Sequence, residues 1–174
     1  KHGIKNWKRP NLLTVGRLFP YKNHDLIYGW VNEVNKNLEL NLVGVADGLE
    51  SELMVKNLVK MGARLVINPT EDLIDKLFSR ATHFLLASEV ESLGVVTLEA
   101  ICSGAIPLVR RIGGISSYLP KRFLFDNKLD FQDKLRFLLD PKHASDESEN
   151  LATLRSALSV DKVSKALIDI YAGD

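Results

Sequence analysis

Glu91 and Glu99 stand at the two ends of the segment Glu-Ser-Leu-Gly-Val-Val-Thr-Leu-Glu. A carboxylate accepts two hydrogen bonds on fixed oxygens, which suits vicinal hydroxyls of the kind a hexose or a ribose offers. The first carboxylate is expected to face a sugar and the second a ribose. Spacing by itself carries little weight, since ten glutamates in 174 residues give about half a pair at this separation by chance. A solvated loop acid and a helix-surface acid are the plain alternative. Context argues the other way. Thr82 to Ser88 is a short, mostly apolar run that reads as a buried parallel strand. Val95 to Cys102 is helix-compatible, and Gly104 then Pro107 mark its end. Gly94 therefore falls at a helix N-terminus, whose unpaired N–H groups and partial positive charge make a seat for phosphate. At a rise of about 1.5 Å per residue the two glutamates are roughly 12 Å or less apart, comparable with the reach from a sugar across a diphosphate to a ribose.

A diphosphate also needs cations. Val15-Gly16-Arg17-Leu18 ends the first strand and Lys22 follows. Gly16 lets backbone approach closely, Arg17 can fork onto two phosphate oxygens, and Lys22 adds a point charge. Two basic residues near a loop are commonly ordinary surface charge. Here the carboxyl ends of strands one and four are neighbours in the common doubly wound order, which is the crevice where such sheets bind ligands. Gly44, in Leu42-Val-Gly-Val-Ala-Asp-Gly48, ends strand two, and Gly113-Gly114 follows strand five; both read as tight turns. No G-x-G-x-x-G fingerprint follows the first strand, no Walker lysine motif occurs and no nucleophile elbow is visible. His2, His24, His83 and His143 have no metal-ligand spacing. No Asp-x-Asp pair occurs, so no metal-bridged diphosphate is indicated, and Arg17, Lys22 and the helix end would neutralise a leaving group instead.

The elements that must position these groups read as alternating strands and helices. Strands are expected at Asn11 to Leu18, Leu38 to Val45, Ala63 to Asn68, Thr82 to Ser88, Ile106 to Arg111 and Arg122 to Asp126. Helices are expected at Asn23 to Val34, Leu49 to Met61, Thr70 to Ser79, Val95 to Ser103, Ile115 to Leu119 and Phe131 to Leu139. Right-handed crossovers then put helices on both faces of a doubly wound, Rossmann-like parallel α/β sheet of about six strands. After Pro141 the chain turns polar, and its cluster of Asp146, Glu147 and Glu149 reads as solvated surface, followed by one or two amphipathic helices from Leu151 to Tyr171.

The whole chain is expected to form a single domain, 1–174, with 1–10 as a linker and 147–172 as C-terminal helices. A net charge of +1 makes no strong electrostatic demand for nucleic acid or anionic membrane. No apolar run is long enough to span a bilayer and no signal-like segment opens the chain, so the expected compartment is the cytoplasm. The single cysteine, Cys102, excludes a disulfide framework and reads as a buried structural thiol. The opening Lys1 and the linker-like Asn6 to Pro10 suggest a piece of a longer protein.

In order along the chain these pieces resemble glycosyltransferase family 4, a retaining family of the GT-B fold, and in particular its carboxy-terminal nucleotide-sugar-binding domain. The resemblance runs from about Leu12 to Leu139. It is carried by Gly16-Arg17 with Lys22, by Glu91-Ser-Leu-Gly-Val-Val-Thr-Leu-Glu99-Ala100, by Gly104-Ala-Ile-Pro107 and by Gly113-Gly-Ile115. It implies that Arg17 and Lys22 bind the donor diphosphate, Gly94 and Val95 offer it backbone N–H groups, and Glu99 holds the ribose. Glu91 would contact hydroxyls of the transferred sugar and stabilise a cationic anomeric centre, so Glu91, Arg17 and Lys22 are the residues expected to act in the reaction. Gly16, Gly44, Leu93, Asn68 and Pro69 complete the expected donor site, the base being met by backbone around Ile67 to Pro69. Three departures stand out: Leu93 replaces the usual phenylalanine, Val45-Ala-Asp-Gly48 loosens the usual Gly-x-Gly-Pro turn, and Ser117 stands where an acidic residue is common.

The resemblance implies the donor domain of a retaining, metal-independent hexosyltransferase that takes a UDP-, GDP- or ADP-sugar, needs no other cofactor and acts on a glycan or lipid-linked acceptor. The family's amino-terminal, acceptor-binding domain has no counterpart in the chain, so the domain would be inactive alone and would reach the cytoplasmic membrane face through that missing part. The rival expectations are another GT-B enzyme, a sugar-nucleotide epimerase or phosphorylase, and a catalytically silent α/β interaction domain.

Overall fold

A computed structural model describes residues 5–158. Six strands, β1 (Asn11–Val15), β2 (Glu39–Gly44), β3 (Arg64–Ile67), β4 (His83–Leu86), β5 (Ile106–Arg110) and β6 (Leu124–Phe125), form one parallel sheet in the order β3-β2-β1-β4-β5-β6. This is the doubly wound Rossmann order, reversing direction between β1 and β4. The strands buried on both faces are the apolar ones: Leu12 and Leu13 of β1, Leu42 and Val43 of β2, Phe84 and Leu85 of β4 and Leu108 and Val109 of β5 are fully buried. Edge strand β3 contains no buried residue. Pro107 sits inside β5 without breaking the sheet because β6 reaches only Val109 and Arg110. Ile106 N–H bonds Thr82 on the β4 side, so the alternation turns the proline nitrogen to the side that β6 leaves unpaired.

Helices α1 (His24–Val34), α2 (Leu49–Lys60), α3 (Glu71–Arg80), α4 (Val95–Cys102), the single turn α5 (Ile115–Tyr118) and α6 (Lys128–Leu139) alternate with the strands. The side chains of Lys128 and Gln132 on α6 bond Glu33 of α1 and so join these helices over one face. Helices α3 and α4 lie together on the other, where they line a common cleft with Val15.

Three expectations need correction. The polar stretch after Pro141 is helix α7 (Pro141–Asn150), not plain solvated surface. Asp140 caps it by accepting from Lys142 N–H (2.9 Å) and His143 N–H (3.2 Å), and Pro141 takes the first helical position. Glu147 from the acidic cluster is buried and pairs with Arg122 Nε at 2.7 Å. Arg122, expected to open the sixth strand, belongs to a 3₁₀ turn (Lys121–Phe123), which leaves β6 two residues long. The sixth helix starts at Lys128 rather than Phe131, because the Asn127 side chain accepts from Asp130 N–H and caps it earlier. A further helix, α8 (Ala152–Ala157), follows; the rest of the stretch expected to continue to Tyr171 lies outside the described residues. Among residues 5–10, Lys5 donates to the carbonyls of Phe78 and Ser79 and Trp7 packs edge-on against His83.

Candidate functional site

The carboxyl ends of β1 and β4 lie side by side, and the two loops that leave them are tied together. Beyond β1, Leu18 is fully buried and its N–H bonds Val45 O at 2.9 Å, which turns the chain so that Arg17 faces out. His24, the first residue of α1, supports this turn from below. Its Nε2 donates to the Arg17 carbonyl at 3.2 Å, since a carbonyl can only accept, and its Nδ1 lies 3.5 Å from Thr14 Oγ1. Burial lowers this imidazole to about 4 against the upward pull of the Arg17 hydrogen bond, so it is neutral at ordinary pH.

Asn23 crosses to the second loop. Its Nδ2 donates to Ala87 O (3.0 Å) and to Glu89 Oε1 (3.2 Å), and beside it Glu89 N–H donates to Tyr21 O at 2.8 Å. These bonds draw Lys22 onto Glu91, with which it forms an ion pair whose side chains are each 14% exposed. Arg17 is exposed; its Nη2 donates to the Tyr21 hydroxyl at 2.9 Å and its guanidinium lies 5.4 Å from the centre of the Phe19 ring.

The Glu91–Gly94 turn is held from its other side by the chain after β5. Gly114 N–H donates to Ser92 O at 2.7 Å, and a side chain at Gly113 or Gly114 would collide with the carbonyls of Glu91 and Ser92. Those glycines therefore serve a close backbone approach as well as a turn. Tyr118 donates its hydroxyl to Leu93 O at 3.0 Å; burial, with the Glu91 charge adding to it, pushes the phenol up to about 12 and keeps it a donor. Gly94 has φ 67°, a left-handed conformation that glycine adopts without strain, and α4 starts directly after it. No acidic side chain occupies the first turn of α4, so its free N–H groups keep their positive potential.

Two clefts result. One, of about 420 Å³, is lined by Arg17, Tyr21, Lys22, Val90, Glu91 and Ser92. The other, of about 600 Å³, lies between α3 and α4 and holds Glu99 with Val15, Ile74, Asp75 and Phe78. Val15, at the end of β1, lines the second, and Arg17, two residues further along the chain, lines the first. Burial raises the Glu99 carboxyl above the usual carboxylate range, and the Asp75 charge raises it further. Cys102 also lines this second cleft and is half-buried, not the buried thiol expected, although burial still raises its pKa.

Of the residues singled out from sequence, Arg17, Lys22 and Glu91 share one cleft, Gly16 precedes Arg17, and Gly94 and Val95 open α4 beside it. Leu93 is exposed at this turn. Glu99 sits in the second cleft, a little further along α4. Gly44, Asn68 and Pro69 line neither. They lie at the ends of β2 and β3, where Asn68 N–H bonds Gly44 O at 2.9 Å and Asn68 Oδ1 accepts from Ala46 N–H at 3.1 Å. Ser117 donates to Gly114 O at 2.6 Å. Sequence reasoning missed Tyr21, Asn23, Tyr118 and Asp75. An asparagine just before a helix was a usable signal for Asn23; the other three make contacts that no local pattern announces. Among the described residues no group of three or more histidine, cysteine or acidic side chains is arranged to hold a metal, and no helix is long and apolar enough to cross a membrane.

The sequence profile of the family described as "Glycosyl transferases group 1" matches residues 1–152. The sulfoquinovosyl transferase SQD2 of Arabidopsis thaliana is 28% identical over 147 residues, covering 84% of this chain and 27% of that protein. The glycogen synthase of Elusimicrobium minutum is 31% identical over 110 residues, covering 62% of this chain and 23% of its own length. The chain thus spans about a quarter of the length of these curated relatives. Among solved structures, the sucrose-phosphate synthase of Thermosynechococcus elongatus superposes with a TM-score of 0.78 over 96% of this chain and 46% of that one, at 20% identity. At that identity the likeness shows the fold, the Rossmann-like sheet of GT-B glycosyltransferases.

Proposed function

This chain belongs to the glycosyl transferases group 1 family, and from that premise we propose that it is the carboxy-terminal, donor-binding domain of a retaining hexosyltransferase of family 4. The donor is a nucleoside-diphosphate sugar and the acceptor a glycan or a lipid-linked glycan. An amino-terminal domain completes the cleft and binds the acceptor. The reaction is metal-independent and takes place in the cytoplasm or at the cytoplasmic face of a membrane.

The observation that carries this reading is that Arg17, Lys22 and Glu91, from two separate loops, line one cleft beside the start of α4, with Glu99 farther along the same helix in a second cleft. The nucleoside lies in the cleft of Glu99, whose carboxylate takes the ribose hydroxyls. The diphosphate runs past the free N–H groups of α4 towards Arg17 and Lys22. The sugar reaches Glu91. In the reaction the bond from the anomeric carbon to the diphosphate oxygen breaks, its electron pair staying with the diphosphate. The acceptor oxygen bonds to that carbon and the acceptor proton goes to the departing phosphate. Charge grows on the diphosphate as the bond lengthens, so preorganised cations and helix-end N–H groups bind the transition state more tightly than the ground state. Lys22 is already neutralised by Glu91. In this mechanism Lys22 turns from that carboxylate to the phosphate while the carboxylate takes sugar hydroxyls, so donor binding exchanges one ion pair for two contacts.

The test is calorimetric titration of the full-length protein with UDP, GDP and ADP and then their sugar conjugates, with Glu99→Ala as control. Saturable binding of one nucleotide, weakened in the control, is expected. If none of the three binds, the donor-site reading falls and a silent interaction domain takes its place.

A further inference from the structure

The two cations of the first cleft are five positions apart on a loop whose only regular structure is one 3₁₀ turn, Pro20–Lys22. Each long side chain loses rotamer freedom when it is held in one place, and like charges aimed at one place repel. A seat for a diphosphate built this way needs something to orient it. Lys22 has the carboxylate of Glu91. Arg17 forms no ion pair among the described residues; its side-chain partner is the Tyr21 hydroxyl, at 2.9 Å.

Tyr21 touches every part of the arrangement. Its hydroxyl holds Arg17 Nη2, its ring centre lies 5.4 Å from Lys22 Nζ, and its carbonyl takes the Glu89 N–H from the loop that carries Glu91. The Phe19 ring, 5.9 Å from that of Tyr21, backs the guanidinium. Neither aromatic ring belongs to the apolar core or packs against it. The chemistry of the partner matters as much as its position. A carboxylate here would cancel the charge of Arg17, whereas a neutral hydroxyl occupies one of five N–H donors and leaves the charge and the remaining donors for an anion.

We propose that Tyr21 is a positioning residue of this site: its hydroxyl orients the Arg17 guanidinium and its ring steadies the Lys22 ammonium, so that together they select a diphosphate over a monophosphate. This rests on the donor-site reading above. The nucleoside and first phosphate lie towards Glu99 and the α4 terminus, so the second phosphate is the one that reaches Arg17 and Lys22.

The experiment compares affinities of the full-length protein for the nucleoside diphosphate that binds, among UDP, GDP and ADP, and for the monophosphate of the same nucleoside. In Tyr21→Phe the diphosphate affinity falls about 5- to 10-fold, as expected for the net worth of one solvent-exposed hydrogen bond, and the monophosphate affinity stays constant. Tyr21→Leu, which also removes the ring, lowers the diphosphate affinity further, and melting temperatures change by only a few degrees, because the half-buried ring is not part of the apolar core. Equal losses for both nucleotides would mean a merely structural role, and no loss for either would mean no role; each overturns the proposal while leaving the donor site standing. Failure of all three diphosphates to bind the parent protein would remove the donor site and this inference together.

Discussion

The sheet has a cleft at each end, and their side chains are similar in kind. At the carboxyl end Arg17 and Lys22 accompany Glu91; at the amino end Lys36 and Arg64 accompany Glu39 in a cleft of about 380 Å³. The difference lies in backbone and burial. At the carboxyl end α4 begins, with its positive end open, and Lys22 and Glu91 are held together largely out of water. At the amino end α1 and α2 finish at Val34 and Lys60, turning carbonyl groups and negative potential towards the cleft, and Lys36, Arg64 and Glu39 are all exposed. Cations beside helix C-termini complement the local dipoles; cations beside a helix N-terminus add to its field. The same residue types therefore stabilise one end and prepare the other for an anion.

The largest expected effects test this contrast directly. Arg17→Ala or Lys22→Ala in the full-length enzyme lowers kcat/KM by two orders of magnitude or more, roughly the loss on removing one preorganised transition-state contact. Lys36→Ala and Arg64→Ala leave the rate unchanged. Comparable losses at both ends would erase the distinction, and near-normal turnover of the first pair would remove the assignment.

Each end also buries a histidine, His24 under Arg17 and His83 at the start of β4, where Nε2 donates to Leu138 O at 2.9 Å. Burial lowers both to about 4, below the 6.5 of a free imidazole. The unfolded chain therefore binds protons first as pH falls, and stability present above pH 6.5 is lost on the way to pH 4. The loss is about 2–3 kcal/mol per histidine by pH 4.5. Denaturant midpoints measured at pH 7 and 4.5 check it, and a flat profile contradicts it.

Gly94→Ala acts on the feature that only the carboxyl end possesses. A β-carbon there is strained by the left-handed backbone and collides with Ile115, at a cost of about 1–3 kcal/mol. The melting temperature drops and nucleoside diphosphate binding weakens with it; an unaltered melt would show that the turn relaxes freely.

The smallest effect separates the two clefts of the carboxyl end. Glu99→Ala weakens nucleotide binding about tenfold, the worth of one or two hydrogen bonds, with kcat little changed. Glu91→Gln lowers kcat more than nucleotide affinity. An equal loss in kcat and affinity for Glu91→Gln would cancel the division of roles.

Much of this was legible in the sequence. The order of strands and helices follows from short apolar runs punctuated by Gly and Pro. The start of α4 after Gly94 follows from a glycine between a buried strand and a helical run. Helix α7 was hidden because its inner face offers little beyond Ala144, the aliphatic part of Glu147 and the following Leu151, too few apolar positions to register as a period. Its cap, Asp140-Pro141, was the readable sign. Asp75 escaped because it meets Glu99 only when the crossover from β3 carries α3 beside α4.

Most of the elements, the helix that opens at Gly94 and the residue types at the ends of β1 and β4 were readable from the chain alone, because these depend on interactions between near neighbours along it. The tertiary structure decided that Lys22 meets Glu91 across 69 positions, that Gly113 lies against the Glu91 carbonyl, and that Glu99 opens into a separate cleft. Such contacts exist only after strand order has been chosen. That choice is a matter of burying six strands and two layers of helices at once, which no local stretch of residues specifies.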